Sequence, residues 1–153
     1  MKYLLLSVLN IALVLTATAQ IKESQGKISP HLDNYQVEVS FTSKCCGTAS
    51  SDFLHFFVDT FNKKNKIQVA AWQWGGCGKE GENLVLFSTN NLSSKTAKKF
   101  LNALKKLIPQ QNEKNKNINA SMGEIFLDYN IAANTITNCR GNLISFYPSK
   151  IKK

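Results

Sequence analysis

Apolar and polar positions alternate along the stretch from Tyr35 to Thr42, with Tyr35, Val37, Val39 and Phe41 on one side and Gln36, Glu38, Ser40 and Thr42 on the other. A period of two predicts a strand with one buried and one polar face. Lys44 to Thr48 breaks the pattern, and Ser50, Ser51 and Asp52 then supply helix-capping residues and a negative charge for a first turn. Phe53, Leu54, Phe57, Val58 and Phe61 follow at helical spacing, and the run Asn62 to Asn65 closes that helix. Ile67, Val69 and Ala71 return to the two-residue period, which puts Trp72 and Trp74 on the opposite face of the same strand. Gly75, Gly76, Gly78 and Gly81 mark a hairpin connection, and Leu84 to Ser88 forms its return strand.

The strongest helical period in the chain runs through Ala97, Phe100, Leu101, Leu104, Leu107 and Ile108, with Lys98, Lys99 and Lys105 on the other side. Pro109 is expected to stop this helix and Gln110 to Asn119 to form a polar loop. Ile125, Leu127, Tyr129 and Ile131 predict a further strand, and Thr135 to Cys139 with Leu143 to Tyr147 a hairpin turned by Arg140, Gly141 and Asn142. The order β-α-β-β-α-β with an added hairpin is that of an α+β, ferredoxin-like (split βαβ) antiparallel sheet. Two helices cover one face, a C-terminal β-hairpin is added, and the third strand lies between the first two.

Composition changes this picture mainly at the ends. Residues 1–19 carry Lys2, an apolar run from Leu4 to Leu15 and the small-residue pattern Ala17, Thr18, Ala19, which reads as a signal peptide cleaved near Gln20. The run is short and interrupted by Asn10, so it is read as removed and not as a stable membrane anchor. Residues 20–34 are polar and without period, an N-terminal arm. Residues 35–149 form a single α+β domain, and residues 150–153 a basic tail. The chain is thus expected to be exported, periplasmic or secreted. The net charge of +9 admits an acidic protein, a nucleic acid or an anionic lipid as partner. Arg140 is the single arginine, however, and no basic groove with interleaved aromatics stands out, which argues for a protein and against nucleic acid.

Export places Cys45, Cys46, Cys77 and Cys139 where disulfides persist. The loop after the first strand and the hairpin between the second and third lie at one end of such a sheet, and the C-terminal hairpin brings Cys139 there too. A bridge between adjacent Cys45 and Cys46 would close a strained ring. The expectation is therefore one of that pair joined to Cys77 and the other to Cys139. The alternative is a thiol-based metal-binding or redox protein that uses the end of the domain where Cys45, Cys46, Cys77 and Cys139 gather. The first-loop position resembles that of ferredoxin-like metallochaperones, but Cys45 and Cys46 are adjacent where those proteins separate two cysteines by two residues. No cofactor is implied.

His31 falls in the arm and His55 on the outer side of the first helix, both read as surface residues; Glu80 and Glu82 are read as solvated turn charges. Gly76, Gly78 and Lys79 fail as a phosphate loop because no Ser or Thr follows and no helix opens there. No nucleophile and base pair stands out, so the reading favours binding over catalysis. Trp72 and Trp74, on a face the helices leave open, are the candidate partner-binding residues of a disulfide-stabilised module that recognises another macromolecule, in the manner of an inhibitor, an immunity protein or an envelope interaction protein.

Overall fold

The computed structural model describes residues 36–45, 47–129 and 139–147. The readings that fall on residues 1–35, Cys46, residues 130–138 and residues 148–153 lie outside them, and so the signal peptide, the arm with His31 and the basic tail do too. The described elements run β1 (Val37–Phe41), α1 (Asp52–Asn65), β2 (Ala70–Gly75), β3 (Asn83–Ser88), α2 (Ser94–Ile118), β4 (Ile125–Tyr129) and β5 (Leu143–Ser145). The fold is α+β, with a five-stranded antiparallel sheet in the order β4-β1-β3-β2-β5 and two helices. No helix among the described residues is long and apolar enough to cross a membrane.

The two-residue period in β1 sends Val37, Val39 and Phe41 into the core, where they meet Val85 and Phe87 of β3 and Ile125 of β4. Leu54 and Val58 of α1 and Phe100, Leu104 and Ile108 of α2 close over them, all buried. Phe100 stands at the centre, its ring 5.3 Å from that of Phe87, 5.6 Å from Phe57 and 5.1 Å from Phe61. Lys66, with φ 53°, ends α1 in the left-handed region, and Ile67 N–H donates back to the Asn62 carbonyl. Ser93 caps α2 by accepting from Thr96 N–H.

Two expectations are corrected, and a third falls partly within the described residues. Pro109 does not stop α2, which continues to Ile118 across the stretch read as a loop. The extra turns keep an inward stripe made of amides: Asn112 clamps the Ile125 backbone, and Gln111 Nε2 donates to the Oδ1 of buried Asn115 at 2.9 Å. These hydrogen bonds offset the proline's missing donor. His55 does not face outward; it stacks on buried Phe146 with ring centroids 3.7 Å apart, and Phe56 takes the exposed position. Leu143–Ser145 pairs with β2, so what the described residues contain of the C-terminal hairpin is a fifth strand at the sheet edge.

Candidate functional site

The sheet face away from the helices is built by the other half of each strand's alternation. In register across it stand Phe126 and Asp128 of β4, Ser40 and Glu38 of β1, Leu84 and Leu86 of β3, Trp74 and Trp72 of β2, and Leu143 and Ser145 of β5. Leu84 and Leu86 are buried, with the half-buried Trp72, Trp74 and Leu143 packed around them. The indole N–H of Trp74 donates to the Gly141 carbonyl at 2.8 Å, which fixes the ring on the sheet. Trp72 thus lies on the face expected for it, two residues along the same strand.

Cys77 is joined to Cys139, with Cα atoms 4.2 Å apart and a sequence separation of 62. The expected pairing of Cys77 with Cys45 or Cys46 is therefore not the one found. The reason lies in the backbone: Arg140 N–H donates to the Gly76 carbonyl and Gly141 N–H to the Gly75 carbonyl, each at 3.0 Å, so residues 139–141 run against the β2 end. Only glycine allows that approach, since a side-chain carbon on Gly141 would sit 2.5 Å from the Gly75 carbonyl oxygen, and Gly76 adopts φ 71°. The loop holding Cys45 touches the same hairpin, Ser43 donating to Glu80 at 2.6 Å, but Lys44 on Glu124 at 2.8 Å draws it toward the segment that leads into β4. Cys45 is free and exposed, its sulfur 3.9 Å from the Ser121 carbonyl.

Bonded to each other, Cys77 and Cys139 offer no free thiolate. Among the described residues no group of three or more His, Cys, Asp or Glu side chains is placed to hold a metal ion. Glu80 accepts from Ser43, and Glu82 accepts from the Glu80 backbone N–H at 2.8 Å, so these two serve the hairpin.

Two features of this face were not singled out in the sequence. Glu38 and Asp128 stand directly opposite each other in the β1–β4 register. Burial first, and the Asp128 charge second, push the Glu38 carboxyl above the usual carboxylate range. The second is β4 itself, at the sheet edge, with Phe126 and Tyr129 both nearly half exposed. The alternation of Glu38 was legible; its cross-strand neighbour required the strand order.

No family model, curated protein or solved structure matches the chain.

Proposed function

We propose that this chain is an exported, disulfide-stabilised binding module that recognises another macromolecule, in the manner of an inhibitor, an immunity protein or an envelope interaction protein. Its framework in this reading is ferredoxin-like (split βαβ), supported by β3 lying antiparallel between β1 and β2. The observation that carries the function is the pair Trp72 and Trp74 on the sheet face that neither α1 nor α2 covers, one indole tied to Gly141 and the strand end stapled through Cys77 to Cys139. Aromatic rings held rigid before binding lose little entropy on contact, which is what makes them good anchors. The staple suits a protein working in an oxidising compartment.

The test begins with native protein purified without reductant. Its intact mass should correspond to a chain starting at or near Gln20 with the Cys77–Cys139 bond formed. A partner captured from the same exported fraction, and then purified, should bind Trp72→Ala about tenfold more weakly or worse, as loss of an interface anchor does. Lys63→Ala, on α1, should bind normally. Retention of Met1, stoichiometric copper or zinc, or unchanged binding by Trp72→Ala would overturn this reading.

A further inference from the structure

We propose that the β4 edge is a docking site for an acidic, extended polypeptide segment, which adds to the sheet as a further strand beside Leu127 and Tyr129 and beneath the lysine-rich helix α2. Among the described residues β4 has a single neighbour in the sheet, β1. The phase of its hydrogen bonds follows from Thr42 N–H donating to the Glu124 carbonyl at 3.0 Å. Alternation then turns the backbone of Phe126 and Asp128 toward β1, and that of Ile125, Leu127 and Tyr129 outward.

At Ile125 the outward groups are already met by one side chain. Asn112 Nδ2 donates to the Ile125 carbonyl at 2.8 Å, and Oδ1 accepts from Ile125 N–H at 3.0 Å. A single amide thus performs what the backbone of a neighbouring strand would perform, and it marks where strand pairing must begin. At Leu127 and Tyr129 no described residue does the same. A groove of about 550 Å³ opens alongside, with Ile108, Pro109 and Leu127 among its walls; Lys105 lines it, as do Lys116, paired with Glu113 at 3.3 Å, and Glu124, paired with Lys44 at 2.8 Å. Proteins usually blunt an edge with a short strand, a lysine or a proline. β5, at the other edge, is three residues long, whereas β4 has five and carries neither lysine nor proline.

Charge selects the occupant. α2 carries seven lysines and one acidic residue, and Lys105 Nζ lies 3.9 Å from the centre of the Tyr129 ring. On the opposite side of β4, Asp128 stands against Glu38. An added strand therefore places acidic side chains toward α2 and apolar ones beside Phe126, which is 48% exposed. Main-chain pairing gives such a site its affinity and the alternate side chains its selectivity. The proposal rests on the reading of the chain as a binding module but uses neither tryptophan.

The test uses the whole mature chain, isotopically labelled, and a blocked octapeptide alternating glutamate with valine. A peptide with lysine in place of glutamate is the comparator. The acidic peptide should slow hydrogen exchange at the Leu127 and Tyr129 amides and bind about tenfold more tightly than the basic one at low salt. The double variant Lys105→Glu with Lys116→Glu, both on the exposed side of α2, should reverse that preference, and Trp72→Ala should leave it unchanged. Equal binding of the two peptides would overturn the proposal. So would amides already protected in the free protein, protection that grows with protein concentration alone, or shifts confined to Trp72 and Trp74. Binding of duplex DNA or anionic vesicles to α2 with no effect of the peptide on β4 would also overturn it. Failure on β4 with a retained Trp72 effect leaves the tryptophan reading standing, and the converse holds.

Discussion

The two faces of the sheet are held by different physics. On the helix side Val39, Phe41, Leu54, Val58, Val85, Phe87, Phe100 and Leu104 are essentially inaccessible to water, and they come from both helices and from β1 and β3. Apolar volume does the work there. On the other side Leu84 and Leu86 form a much smaller buried set, fixed by the Cys77–Cys139 bond and by the Trp74 indole on Gly141. A face that α1 and α2 leave open cannot exclude water by their volume, so a covalent bond and a directed hydrogen bond substitute for packing. The difference matters for function, because a face stabilised in this way can keep large aromatic side chains partly in solvent.

The contrast is broken most severely from the helix side. Leu104→Ala should cost about 2–5 kcal/mol, as truncation of a fully buried leucine does, while Lys98→Ala, exposed on the same helix, should stay within about 0.5 kcal/mol. Urea melts measure both, and comparable losses would mean that α2 does not pack through the Leu104 side. Replacing Cys77 and Cys139 together by serine should cost about 2–4 kcal/mol, since a loop of 62 residues is released in the unfolded chain. The near-ultraviolet signal of the tryptophans should change with it, while the helical signal persists below the new melting temperature. Loss of helix together with the tryptophan signal under native conditions would show that the staple supports both faces.

How much of this was legible depended on whether the determining interactions were local. The stripe Phe100, Leu101, Leu104, Leu107 and Ile108 reads directly as a helix face, because side chains three and four apart share one side. The continuation past Pro109 was not legible, because its inward residues, Asn112 and Asn115, are polar and earn their place through bonds to Ile125 and Gln111. Topology brought Cys77 and the loop of Cys45 to one end of the sheet, since Phe41 and Gly75 both pair with Asn83. The disulfide partner turned instead on the Arg140 and Gly141 backbone bonds to Gly76 and Gly75, which no pattern of side chains encodes. The β4 edge likewise exists only once the strand order is known.

The smallest expected effect sharpens the comparison where polar groups meet the open face. Glu38 leans on Leu86 on one side and Asp128 on the other, and both burial and the neighbouring charge hold its proton more tightly in the folded chain than in the unfolded one. The folded state therefore binds more protons between the ordinary carboxylate value and the raised one. Across that window stability falls as pH rises, and the ionised pair burdens the fold at neutral pH. Glu38→Gln keeps the shape and removes the charge, so its urea midpoint should exceed that of the parent at neutral pH. The gap should close as pH is lowered through the carboxylate range, where Glu38 in the parent takes up its proton. A gap that stays constant with pH would assign the gain to something other than ionisation. A parent more stable than the variant at neutral pH would show that Glu38 is held there by a favourable contact, and that the open face at β1 and β4 tolerates its two acids without cost.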